Sequence, residues 1–189
     1  MLIAWQTINA VRQPSSKKFT RGFLIVAPGL TIKDRLRVLQ PNDPDSYYQS
    51  REIVPSDMLA DLERAKIIIT NYHAFKLRER IDISKGGRAL LKGKRGEELN
   101  TLETEGQMLQ RVIPELMGMK NICVLNDEAH HCYREKPGEV KEDDLKGDEK
   151  KEADSNSEAA LLWISGLEII AKKLGINRVV DWPATPFFL

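Results

Sequence analysis

Two cysteines in 189 residues, Cys123 and Cys132, are too few for a disulfide framework. No Cys-x-x-Cys pair and no His-Glu-x-x-His is present, so Cys132, His130, His131 and His73 do not have the spacing of a zinc site. Charge of one sign is not in excess: the formal net charge is +1, which by itself implies no partner. No apolar run approaches the ~20 residues of a membrane span. The opening Met1-Leu2-Ile3-Ala4-Trp5 is too short for the apolar core of a signal peptide. These absences predict a cytoplasmic protein with no membrane partner. Also missing is Gly-x-x-x-x-Gly-Lys-Ser/Thr, the loop whose amides cradle phosphate. The nearest run, Gly87 to Lys94, has one residue too many, continues with Arg95 where a hydroxyl is needed, and follows no apolar strand.

What is present suits one domain. Hydrophobic residues make up 41% of the chain, enough for a core. Helical spacing puts Leu2, Trp5, Ile8 and Val11 on one face of a helix over 2–12, which begins at the first residue without a cap; the chain reads as truncated there. Phe23 to Val26 and Ile67 to Ile69 are short continuous apolar runs, the mark of parallel strands buried on both faces. Each stops at turn residues, Pro28-Gly29 and Thr70-Asn71. Between them Thr31 can cap a helix reaching about Leu39, with Ile32, Leu36 and Leu39 inward, and Ser56 with Asp57 opens a helix through Leu59, Leu62 and Ala65. Residues 84–100, rich in Gly, Lys and Arg, read as an exposed loop. A helix over 103–117 turns Met108, Leu109, Val112, Ile113 and Leu116 inward. Residues 134–156 are almost wholly polar and read as a mobile charged insert. An amphipathic helix over 157–174 stops at Gly175, and Val179-Val180 starts a last strand. Strands alternating with helices predict right-handed crossovers and a parallel sheet, an α/β fold.

The chain is organised around residues 124–133. An apolar run from Ile122 to Leu125 delivers two adjacent carboxylates, Asp127 and Glu128, at its end. Open parallel sheets bind ligands beyond the carboxyl ends of their strands. Nucleotide hydrolysis asks there for one carboxylate to hold magnesium and another group to orient the attacking water. A strand ending in a solvated acidic turn has the same local pattern, so the surrounding motifs must decide.

Four motifs follow in order. Ala27-Pro28-Gly29 resembles motif Ia of the superfamily 2 DEAD/DEAH-box helicases, and Thr70-Asn71-Tyr72-His73 resembles their Thr-Asn motif. Asp127-Glu128-Ala129-His130 matches motif II, and Pro183-Ala184-Thr185-Pro186 resembles motif III. The longer wording, Leu24 to Leu39 and Leu125 to Arg134, is similar to the Res subunit of type III restriction enzymes. The resemblance covers nearly the whole chain, 1–189, as part of that family's first motor domain. It implies a RecA-like parallel sheet flanked by helices, a P-loop NTPase fold, here without its P-loop strand. In the family that strand and loop stand just before the helix that opens this chain.

The resemblance also implies roles. Asp127 would hold Mg2+ through water and Glu128 would activate the hydrolytic water on ATP. His130 and Thr185 would couple nucleotide state to the rest of the motor. Pro28, Gly29, Thr70 and Asn71 would contact the backbone of double-stranded DNA without reading its sequence. Each has a plainer reading as ordinary turn chemistry at a strand end. The implied function is part of an ATP-dependent DNA helicase or translocase working with a methyltransferase subunit to cleave DNA. A superfamily 2 helicase of DNA or RNA without a nuclease, and a non-catalytic remnant that binds nucleic acid, are the alternatives.

Overall fold

In the computed structural model the described residues are 1–27, 30–79, 102–127 and 148–182, with backbone alone at 30, 31 and 148–159. Helix α1 (Leu2–Arg12) leads to strand β1 (Gly22–Val26), and α2 (Leu30–Leu36) runs into a 3-10 turn at Arg37–Leu39. Two one-turn helices, α3 (Tyr47–Ser50) and α4 (Leu59–Leu62), precede β2 (Lys66–Thr70) and a 3-10 turn at Tyr72–Phe75. Then come α5 (Glu105–Val112), a 3-10 turn at Pro114–Leu116, β3 (Ile122–Asp127), α6 (Asp148–Lys173) and β4 (Ile176–Trp182). The four strands form one all-parallel sheet in the order β2-β1-β3-β4, flanked by helices.

The apolar runs become the central strands for a simple reason. Strand side chains alternate between faces, and a strand covered on both sides needs apolar residues at every position. Leu24, Val26, Ile122 and Val124 pack under α5 and α6 with Met108, Leu109, Ile113, Leu116, Trp163 and Ile170. Phe23, Ile25, Cys123, Leu125, Ile67 and Ile69 pack on the other face with Ile3, Ala4, Tyr48 and Leu62. The five positions expected to turn inward from α5 and its extension are all buried.

Several local expectations are corrected. The buried stripe of α1 is Ile3, Ala4, Gln6 and Thr7, one position round from the expected face, and Trp5 is 49% exposed against the edge of Phe19. An apolar periodicity assumes polar residues stay outside. Gln6 is drawn inside because its Oε1 accepts the Thr20 amide at 3.0 Å. Thr31 is the second residue of α2 rather than its cap. Ser56 starts a 3-10 turn capped by Pro55, and α4 begins only at Leu59. The helix over 103–117 is divided, because Pro114 has no N–H to continue it. Its true start is Thr104, whose side chain and that of Gln107 form a reciprocal capping box.

Part of the stretch expected to be a charged insert is helical. Helix α6 begins at Asp148, so 148–156 is helical, while 134–147 and 84–100 lie outside the described residues. The Glu, Lys and Ala of 149–153 are good helix formers and extend a helix whose buried face comes later. β4 starts at Ile176, three residues before Val179.

Gly175 ends α6 at φ +78°, with its N–H donating to Ala171 O at 3.1 Å, and a Cβ there would lie 2.8 Å from Asn121 Oδ1. Leu174 O then accepts Asn121 N at 2.9 Å, which ties the end of α6 to the start of β3. Gly166 lets α6 approach the turn after β2: a Cβ there would meet the Phe75 ring at 2.8 Å.

Candidate functional site at the carboxyl edge of the sheet

Because all four strands are parallel, all four end at one edge. Val26 is in register with Thr70 on one side and Asn126 on the other, and Asn126 is in register with Asp181. β3 runs one residue beyond this rung, so Asp127 lies opposite Trp182. Every residue of β3 is buried until Asp127, which is partly exposed.

Alternation assigns the two polar residues at the end of β3 to different faces. Asn126 follows Val124 onto the α5–α6 face. Asp127 follows Cys123 and Leu125 onto the face covered by α1. Helix α1 runs against the strands, since it must deliver the chain to the start of β1 and its last residue, Arg12, pairs with Asp61 ahead of β2 at 2.8 Å. Its amino end therefore lies toward the carboxyl edge, on the same face as Asp127.

Asn126 is fully buried, and its Nδ2 donates to Asp181 Oδ1 at 3.2 Å. A buried amide needs such partners, and this one links the ends of β3 and β4. Sequence reasoning passed over both residues; the available signal was one polar residue inside an otherwise apolar strand. Cys123 is a core residue. Burial pushes its thiol up to about 11, which leaves it protonated and a poor nucleophile at neutral pH.

At the end of β2, Thr70 O accepts the Ala27 amide at 2.9 Å, which holds the ends of β1 and β2 together. Asn71 Oδ1 accepts the Ala74 amide at 3.1 Å and so caps the 3-10 turn Tyr72–Phe75. This turn chemistry occupies the Asn71 side-chain oxygen in the described structure. Arg111 of α5 then fastens the segment. Its Nη1 donates to Ala74 O at 3.0 Å, its Nη2 to Lys76 O at 3.1 Å, and its Nε to Glu103 Oε2 at 3.1 Å. Glu103 also accepts the Arg78 amide at 2.9 Å. The Arg111 guanidinium holds the Glu103 carboxyl below the usual carboxylate range against the opposing effect of burial. The Arg111–Glu103 clasp was not anticipated from sequence, since eight residues separate the two with no periodic signal.

Of the expected site residues, the structure therefore brings Asp127, Thr70 and Asn71 to one edge. Pro28, Gly29, Glu128, His130 and Thr185 lie outside the described residues, as do His131 and Cys132. Among the described residues no group of three or more His, Cys, Asp or Glu side chains could hold a metal ion. Asp127 offers a single carboxylate, which suits magnesium, an ion that keeps most of its waters and takes one or two carboxylates. Among the described residues no helix is long and apolar enough to cross a membrane.

Compared with protein-family models, with curated proteins and with solved structures, the chain matches none.

Proposed function

We propose that this chain is part of the first motor domain of an ATP-dependent DNA helicase or translocase, of the kind that forms the Res subunit of type III restriction enzymes, with a RecA-like sheet. One observation carries the reading. Four motifs spread from Ala27 to Pro186 in sequence each stand at or directly after the last residue of a strand, and those four strands end on one edge of one parallel sheet. Any segment that directly follows a strand of an all-parallel sheet reaches that edge; what supports the reading is that all four segments there match the helicase motifs in their order, where open parallel sheets bind nucleotides.

In this reading Asp127 would hold magnesium through water, on the face where α1 presents its amino end. Glu128 would take the proton of the attacking water. Bound magnesium bridges phosphate oxygens and neutralises the charge that develops on them. His130 and Thr185 would relay nucleotide state between strand ends, a path along which the Asn126–Asp181 bond already joins β3 to β4. Pro28, Gly29, Thr70 and Asn71 would track the phosphate backbone of double-stranded DNA, giving weak, sequence-independent and salt-sensitive contact. A methyltransferase subunit is the expected partner of the whole enzyme, and the cytoplasm its compartment.

The test supplies what the 189 residues do not contain. A strand and a Gly-x-x-x-x-Gly-Lys-Thr loop are placed directly before Met1, and thermal melting is measured with and without Mg-ATP. The extended chain is expected to melt higher than the 189 residues and to rise further with Mg-ATP, with the nucleotide shift lost in Asp127→Ala. Equal melting of the two chains, with no nucleotide shift in the extended one, refutes the assignment of Asp127 and Glu128.

A further inference from the structure

We propose that the outer edge of β2 takes up an extended segment of a partner protein that carries two adjacent basic residues, adding it to the sheet as a further strand. The proposal is independent of any nucleotide site.

Lys66 N donates to Arg21 O at 2.7 Å and Ala27 N to Thr70 O at 2.9 Å, so in this parallel register Lys66, Ile68 and Thr70 turn their peptide groups to β1. The peptide groups of Ile67 and Ile69 point the other way. Gln40 Nε2 donates to Ile67 O at 2.8 Å, where the N–H of a neighbouring strand would stand, so an added strand takes over this bond and displaces the Gln40 side chain. The N–H groups of Ile67 and Ile69 and the carbonyl of Ile69 have no partner among the described residues. They are spaced as a strand ladder is spaced. Such an edge is a template for another chain.

The edge lies at the bottom of a groove. A cavity of about 370 Å³ runs along Ile67–Ile69, walled by Lys33 and Asp34 of α2 and Arg37 of the turn after it on one side and by Arg111, Pro114 and Glu115 on the other. Both walls stand beyond the strand. A second copy of this chain would bring its own walls against these and could not close to the ~4.8 Å strand spacing. A single extended peptide can.

The charges select which peptide. Arg37 is paired with Asp43 at 2.8 Å, and Arg111 is paired with Glu103. Among the described lining residues that leaves one cation, Lys33, against two carboxylates, Asp34 and Glu115. The two acids are on opposite walls: α2 packs on the α1 side of the sheet and the turn at Pro114–Leu116 on the α5 side. Successive side chains of an added strand point to opposite faces. Adjacent basic residues therefore send one cation to each wall.

The experiment uses a fluorescein-labelled hexapeptide, Thr-Val-Lys-Arg-Val-Thr, and anisotropy at low salt on the 189-residue chain. Saturable binding is expected, and it should weaken when Lys-Arg is replaced by Glu-Glu. Two further peptides are N-methylated at alternate residues, one set each. The set that faces β2 should lose about fivefold for each blocked hydrogen bond, and the other set should bind like the parent. Asp34→Asn with Glu115→Gln, both exposed, should weaken the basic peptide by about fivefold. Absence of saturable binding, equal binding of the acidic peptide, or equal loss from both methylation patterns overturns the proposal.

Discussion

β2 and β4 are the two outer strands of the same sheet, and they are built to opposite standards. β2 buries Ile67 and Ile69, has one outward carbonyl satisfied by Gln40, and sits between two walls. β4 is lined by exposed residues, with Val179 at 41% and Trp182 at 49%, and among the described residues no element covers its outer edge. Sequence composition does not separate them, since Val179-Val180 is as apolar as Ile67-Ile68. What separates them is cover. The stretch 30–64, with α2, α3 and α4, packs on one face of β2 and its neighbours, while among the described residues β4 gains partial cover from α6 at Ile176, from the loop at Lys17 and Lys18 through Asn177, and from the α1 side at Val180. Apolar residues on an uncovered edge favour association with another chain, and in the proposed motor domain the P-loop strand would lie there.

The comparison breaks first under core truncation. Ile69→Ala should cost about 2–5 kcal/mol, the range for emptying a buried aliphatic site, whereas Val179→Ala should cost under about 1 kcal/mol. Urea denaturation of both variants checks it, and equal losses would mean that β4 is covered in solution. Next in size is the clasp behind β2. Arg111→Met leaves the carbonyls of Ala74 and Lys76 without their donor and should cost about 1.5–3 kcal/mol, as for hydrogen bonds to a charged group.

The same clasp predicts a pH dependence. Glu103 is held below its unfolded value, so its contribution is fully present above the unfolded carboxylate range and is lost as pH falls through the folded one. The melting difference between wild type and Glu103→Gln should therefore shrink on acidification; a difference that stays constant down through the carboxylate range contradicts the shift. Gln40→Ala should cost about 1 kcal/mol, one neutral hydrogen bond to the β2 edge. The smallest effect on stability belongs to Val179→Lys, within about 0.5 kcal/mol, yet a lysine on a bare edge should reduce self-association in sedimentation velocity. Unchanged association would remove β4 as the contact.

How much of this was legible in the sequence follows from the range of each signal. Four apolar runs and their turn residues disclosed the four strands and the edge at which they end, because burial on both faces leaves a continuous apolar stretch. The inward positions of α5 were legible for the same reason. The face of α1 was not, because Gln6 and Thr20 satisfy each other only once the chain is folded. At the candidate site, Asp127 was legible as an acid at a strand end. Its neighbour Asn126 draws its meaning from Asp181, 55 residues away, and Arg111 draws its meaning from carbonyls more than 30 residues back. Partners of that kind depend on strand order, which no local pattern encodes.

α6 has 26 residues, which makes a straight helix about 39 Å long, while β4 with 7 residues spans about 23 Å. The tail of α6 is pinned at the opposite edge by Gly175 and Asn121. The surplus, about 16 Å or three turns, therefore projects past the strand ends like a gatepost, on the side opposite α1. Anything that settles over those strand ends from the α5–α6 side has to pass this post. Its backbone belongs to the very stretch that sequence composition marked as a featureless charged run.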